Sequence, residues 1–266
     1  MASSRAETTT TMTPPDTSPP GSSPTPTGAR ERRTGAAIHV LTASGAVAGF
    51  AALQAAIRGD IRAALLWLIV CQVLDGIDGP IARKFEVSTH APNVDGHILD
   101  LIVDYVTCVI VPVQLIYSLD LLPRNWTLVL SAAIILTSAL WFSRTDQETS
   151  DAWFNGFPAA WNIVIPTFII LDTGKNWAAA ITIVLCAAQL TSIKIPHMTK
   201  MRAIRPLTMT IVVIYLANLT WLSAVYPDGP RWAMVILLLG PIYIAMISIW
   251  RTWFSHRTIF GLRITS

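Results

Sequence analysis

The chain is expected to fold as an all-α, polytopic bundle of membrane-spanning helices. Three observations carry that expectation. Of its 266 residues 53% are hydrophobic and only 13% are charged, with a mean hydropathy of +0.52, which is more apolar surface than a soluble domain of this size buries. The apolar residues are gathered into runs near the roughly 20 residues that a helix needs to cross the hydrocarbon. The Lys and Arg residues collect in every second connection between those runs.

Taken in order, the runs are Ala36 to Ala56, Ile61 to Arg83, Gly96 to Ser118, Trp126 to Phe142, Ala159 to Leu171, Trp177 to Ser192, Leu207 to Tyr226 and Trp232 to Phe254. About eight transmembrane helices follow, with six possible because the fifth and sixth runs are short. The expected organisation is a disordered tail over residues 1–35, a transmembrane catalytic domain over 36–258 and a short tail over 259–266. The first segment is rich in Ser, Thr and Pro and poor in large apolar side chains, so burial cannot offset the entropy of ordering it. It has no basic start followed by a short apolar core, the pattern of a secretory signal. Pro80 removes a helix hydrogen bond and is expected to kink or end the second span.

Under this threading most of the 19 Lys and Arg residues, among them Arg32, Arg83, Lys84, Arg144, Lys194, Lys200, Arg202 and Arg205, fall on one side. The other side receives Arg58, Arg62, Arg124, Lys175 and Arg231. By the positive-inside bias the first side, with both termini, is cytoplasmic. The net charge of +3 is thus explained by juxtamembrane cations facing anionic lipid, and no basic, aromatic-interleaved module for nucleic acid is present. Cys71, Cys108 and Cys186 lie inside spans without CxxC spacing, which argues against a zinc site or a disulfide framework.

Within the second and third runs stand Asp75, Asp78, Asp100 and Asp104, at spacings of three and four residues. A carboxylate at membrane depth is costly unless it faces a cavity, a partner or a cation. At about 100° per residue, Asp75, Asp78, Gly79, Ala82 and Arg83 share an arc of about 140°, and Gly96, Asp100 and Asp104 form a second stripe. The second run ends, and the third begins, on the cytoplasmic side, so two polar walls meet at one depth. Four carboxylates in one cavity repel, and two divalent ions would cancel their charge. An all-oxygen donor set without converging His or Cys suits Mg²⁺ or Mn²⁺. Gly79, Ala82 and Gly96 leave space beside the acids, and Arg83 offers a fork of donors to a diphosphate. The chemistry that follows is metal-assisted transfer at phosphorus.

The pattern Asp75-x-x-Asp78-Gly79-x-x-Ala82-Arg83, then twelve residues, then Gly96-x-x-x-Asp100-x-x-x-Asp104, resembles the motif of the CDP-alcohol phosphotransferase family. The long gap is similar to that of its bacterial phosphatidylcholine-synthesising branch, whose members join CDP-diacylglycerol to free choline. His39 to Gly45, Gly156 to Asn162 and Arg205 to Thr208 resemble the same branch. The resemblance implies that Asp75, Asp78, Asp100 and Asp104 bind metal, that Asp104 also takes the proton of the alcohol, and that Asp75, Gly79, Ala82, Arg83, Gly96 and Asp100 bind the nucleotide. It also implies a homodimer in the bacterial inner membrane, in contact with membrane lipids.

Two further expectations concern the ends of the substrates. Trp141, Trp153 and Trp161 around Asp146 are candidates for a cation–π cage for choline, although an interfacial aromatic belt has the same sequence signature. Lys200, Arg202 and Arg205 are candidates to attract the lipid phosphates. Two alternatives stand beside this reading. One is a related transferase using serine, glycerol 3-phosphate or an inositol phosphate. The other is a cation transporter, in which acids would be expected through both leaflets rather than at one end.

Overall fold

The computed structural model describes residues 28–91, 93–149, 153–196 and 205–254. Helix α1 (Ala29–Ile57) turns at Arg58–Asp60 into α2 (Ile61–Lys84), and a short α3 (Val87–His90) leads to α4 (Gly96–Asp104). The third run continues without a break through a π-helical segment (Tyr105–Ile110) into α5 (Val111–Ser118). Next come α6 (Thr127–Phe142), strand β1 (Trp153–Asn155), α7 (Trp161–Ile170), α8 (Lys175–Gln189) and strand β2 (Lys194–Pro196). The described chain ends with α9 (Arg205–Val225), α10 (Arg231–Leu237) and α11 (Leu239–Phe254).

Every expected apolar run is helical. Five segments are long and apolar enough to cross a membrane, namely Glu31–Ile57, Ile61–Lys84, Gly96–Ser118, Pro206–Val225 and Arg231–Trp253. Helices α6 and α7 are apolar but shorter. Contacts between connections show how the helices alternate. At one end Ser118 Oγ donates to the Ala56 carbonyl (2.8 Å), and Lys175, at the start of α8, pairs with Asp120 after α5. At the other end Arg144, after α6, donates to the carbonyls of Gln189 and Thr191 after α8.

Three expectations need correction. Helix α1 begins at Ala29, so residues 29–35 of the expected tail are helical. The cause is local: the backbone N–H of Gly28 donates to Glu31 Oε2 (2.9 Å), one half of a capping box. Pro80 does not end the second span, which stays helical to Lys84. The third departure is an antiparallel ribbon that pairs Trp153 with Pro196 and Asn155 with Lys194. It turns at Gly156, whose φ of +83° places the position of a Cβ within 2.8 Å of the Ala188 and Gln189 carbonyl oxygens, so no side chain is accommodated there.

The main core joins Leu65 and Leu68 of α2, Leu115 and Ile116 of α5, Ile134 of α6 and Trp161 and Ile165 of α7. A second cluster joins Ile170 to Tyr215, Leu219 and Leu222 of α9 and Leu237 of α10. Helix α1 packs along α2 and also against α4 and α5, whereas α2 and α4 share little backbone contact. The three-way junction lies at Gly45. Its carbonyl oxygen accepts a long bond from Cys71 Sγ of α2 (3.9 Å), and a Cβ there would lie 2.8 Å from Val103 Cγ1 of α4. Gly49, one turn on, leaves the same kind of gap for Thr107. Gly45→Val is therefore expected to push α4 off α1, at a cost of about 1–3 kcal/mol by overpacking. Thermal unfolding in detergent should register this as a lowered Tm, with Gly45→Ala intermediate.

Candidate active site

Each wall of the site is set by ordinary helix signals. Asp95 N-caps α4, its Oδ1 accepting from the backbone N–H groups of His97 (2.9 Å) and Ile98 (3.2 Å), and so fixes the register that carries Asp100 and Asp104. On α2, Asp75 and Asp78 stand one turn apart above the junction with α1. Asp75, Asp78 and Asp100 each bring a carboxylate oxygen within 4.8 Å of the others. Asp78 is buried, Asp100 half-buried and Asp75 exposed. Helices α2 and α4 both pack on α1 and share little backbone contact of their own, so their acids meet across the groove between the two helices.

Asp104 lies outside that group of three, yet it remains within electrostatic reach of Asp75, Asp100 and Asp78. It is the last residue before the π segment, an arrangement whose wider turn is common at functional positions. The turn also directs Tyr105 outward from the groove, where its hydroxyl donates to the Ile135 carbonyl (3.0 Å) and its ring meets Phe142 edge-on.

A Cβ on Gly79 would lie 3.4 Å from Arg83 Nη1, so the guanidinium folds back over Gly79 on the acidic face of α2. A Cβ on Gly96 would lie 3.3 Å from His39 Cε1. Ala82 is half-buried and Arg83 exposed. Gly76, which the sequence pattern did not single out, faces open space. Gly45 entered the sequence reading only as the end of the His39 to Gly45 string, without its packing role, and the π segment did not enter it. A glycine in an apolar helix carries no chemical signal, and the π turn has no sequence signature.

Three close carboxylate oxygens, with no His or Cys in the group among the described residues, fit a hard divalent cation. Asp75 and Asp78 lie in the second half of α2, and Asp100 and Asp104 in the first half of the Gly96–Ser118 segment.

The aromatic residues do not converge into an open box. Trp141 is buried and its Nε1 donates to the Asn155 carbonyl (2.9 Å), while Trp161, fully buried, donates to Ser138 Oγ (3.0 Å). Trp153 is buried with Arg251 over its ring at 5.4 Å. Asp146 is engaged by Arg144 at both oxygens (2.8 and 2.9 Å), and the guanidinium holds this carboxyl below its ordinary pKa. These rings pack inward, so they do not form an interfacial belt either. Asp146→Asn is accordingly expected to leave the KM for choline within about twofold in a steady-state assay, since its charge is already spent on Arg144. Lys200 and Arg202 lie outside the described residues. Arg205 opens α9, and its side chain lies outside them too.

A family model described as CDP-alcohol phosphatidyltransferase matches residues 37–193, which hold both walls and the floor of the groove. The chain belongs to that family and is a membrane-embedded phosphatidyltransferase. Among curated proteins it is similar to the phosphatidylcholine synthase of Pseudomonas aeruginosa, at 34% identity over 82% of this chain and 93% of that one. The phosphatidylcholine synthase of Brucella melitensis is 35% identical over 79% of this chain and 76% of its own length. That of Borreliella burgdorferi is 30% identical over 81% and 93%.

Proposed function

We propose that this protein makes phosphatidylcholine by transferring the phosphatidyl group of CDP-diacylglycerol to choline, with release of CMP. The observation that carries the reading is the groove itself: three convergent carboxylates, a fourth set apart, and an arginine over a glycine, in a chain similar over most of its length to phosphatidylcholine synthases.

Asp75, Asp78, Asp100 and Asp104 are assigned to hold two hard divalent ions, Mn²⁺ or Mg²⁺. When bound, such ions neutralise the diphosphate and stabilise the departing oxygen. Gly79, Ala82 and Gly96 make room for the CDP moiety, Asp75 and Asp100 border it, and the Arg83 fork donates to its phosphates. Asp104 takes the proton from the choline hydroxyl. The choline oxygen bonds to the lipid-side phosphorus, the phosphorus–oxygen bond to CMP breaks, and CMP carries away the electron pair. No Ser, Cys or His nucleophile lies on either acidic stripe, which favours this single displacement over a covalent intermediate. Inversion of configuration at a chiral phosphorus is the expected outcome, and net retention would exclude direct attack.

The Lys and Arg distribution supports placing the groove and both termini on the cytoplasmic side of the bacterial inner membrane. Residues 36–258 are assigned as the catalytic unit, and the family resemblance suggests a homodimer as the assembly. The deciding assay supplies detergent-solubilised protein with CDP-diacylglycerol, Mn²⁺ or Mg²⁺ and labelled choline. Labelled phosphatidylcholine with stoichiometric CMP is expected. Transfer to serine, glycerol 3-phosphate or an inositol phosphate in place of choline would reassign the acceptor.

A further inference from the structure

Among the described residues, every helix that starts at the end of the bundle away from the acids carries a cation in or just before its first turn and a tryptophan within its first two turns. The pairs are Arg62 and Trp67 on α2, Arg124 and Trp126 at the start of α6, Lys175 and Trp177 on α8, and Arg231 and Trp232 on α10. Trp221, near the end of α9, adds a fifth ring, 5.4 Å from that of Trp232. These elements share one end of the bundle. Ser118 reaches the Ala56 carbonyl beside the α1–α2 turn, Lys175 pairs with Asp120 after α5, and Ile170 of α7 clusters with Leu222 of α9 and Ala233 of α10. All five rings are between 41% and 72% exposed, whereas at the acid end Trp141, Trp153 and Trp161 are buried and Trp253 alone among the described tryptophans is exposed.

Two contrasts identify what these residues face. The interior indoles have protein partners, Trp141 donating to Asn155 and Trp161 to Ser138, while among the described residues none of the five exposed indoles donates to protein. A large apolar ring with a single N–H donor settles where acyl chains meet ester carbonyls. Beyond the rings the exposed side chains turn aliphatic, Leu128 and Val129 after Trp126, Ile181 after Trp177 and Val235 after Trp232, which suits acyl chains and not a water-borne partner. The cations point the same way. A positive side chain at a helix start meets the positive end of the helix dipole, so these residues are not placed there to stabilise their helices. Lys175 is paired with Asp120, but Arg62, Arg124 and Arg231 are exposed and form no ion pair among the described residues. Free guanidinium groups on the aqueous side of a set of indoles match phosphates on the aqueous side of the carbonyl level.

The distance to the other end agrees. At 1.5 Å per residue, α2 rises about 26 Å from Trp67 to Lys84, and the last span rises about 32 Å from Trp232 to Trp253. These lengths bracket the roughly 30 Å of a bilayer's hydrocarbon. We propose that the five tryptophans with Arg62, Arg124 and Arg231 form one lipid-binding surface in the leaflet opposite the acidic groove, the indoles at its ester carbonyls and the guanidinium groups on its phosphates. The surface needs neither metal nor substrate, so it stands or falls apart from the transfer reaction.

The test is tryptophan emission from the full chain in EDTA, reconstituted into dioleoylphosphatidylglycerol vesicles doped with lipids brominated either near the ester or near the middle of the bilayer. Quenching about twofold stronger by the shallow bromines is expected, with little added by aqueous iodide, because the rings sit at the interface. A variant combining Trp126→Phe, Trp177→Phe and Trp232→Phe, all at exposed positions where folding is not at risk, should lose about half of the shallow quenching, and Trp253→Phe much less. Stronger quenching by iodide than by bromine would place the rings in water, stronger quenching by the deep bromines would place them among acyl chains, and resistance to all three would mean that protein covers them. Each of these results overturns the proposal. The phosphate contacts are read separately by native mass spectrometry in detergent, where Arg62→Gln, Arg124→Gln and Arg231→Gln should each lower retention of dioleoylphosphatidylglycerol by up to about fivefold. Unchanged retention in the triple variant would overturn the role of the arginines.

Discussion

Asp104→Asn is expected to lower turnover by about 10²- to 10⁴-fold, the range that a positioned general base contributes. The position of Asp104 makes this variant informative. It stands outside the group formed by Asp75, Asp78 and Asp100, so an amide there removes the proton acceptor and leaves the three closest carboxylate oxygens in place. The nucleotide end of the site should therefore survive. Stabilisation by CDP with Mn²⁺, measured as a rise in Tm, should be retained in large part while labelled choline no longer enters lipid. A variant that turns over like the wild type would show that another group takes the proton. A variant that loses CDP-dependent stabilisation together with turnover would place Asp104 mainly among the metal ligands.

The acidic stripes were legible because chemistry forces them to be. Asp75, Asp78, Asp100 and Asp104 have no reason to sit in apolar helices unless they face one another, and the 3.6-residue repeat then sets which neighbours share their face. The helices themselves were legible from length and apolarity, whereas the cap roles of Asp60 and Asp95 at the starts of α2 and α4 come from the structure. What the sequence left unread depends on three-dimensional contact. Gly45 is one small residue among many in α1, yet its missing side chain lets α4 approach and makes α1 the floor of the groove. The ribbon between Trp153 and Pro196 joins segments some forty residues apart, a pairing invisible to local periodicity. Trp141, Trp153 and Trp161 are amphipathic rings that serve belts, cages and cores equally well, and only their partners, Asn155, Arg251 and Ser138, place them in the interior.

Asp78→Asn is expected to divide stability from activity. With three carboxylate oxygens within 4.8 Å of one another, each pair, when ionised, repels by at least about 3.5 kcal/mol at an effective dielectric near 20. Asp78 is the buried member, at 6% exposure, so its charge is the least screened by water. Neutralising it relieves two of the three repulsions at nearly constant volume. In EDTA the variant should therefore unfold at a temperature equal to or above that of the wild type. Added Mn²⁺ should raise the Tm of the wild type strongly, because the ion binds only the folded arrangement, and should barely move the variant. Turnover should fall by at least about 10²-fold, since the charge that repels in the empty groove is the charge that holds the cation during transfer. Such a pattern, more stable when empty and inactive when supplied with metal, is the signature of strain kept for function. An unchanged Mn²⁺-induced shift in Asp78→Asn would mean that the cation is held elsewhere, and the assignment of the groove as the metal centre would fail.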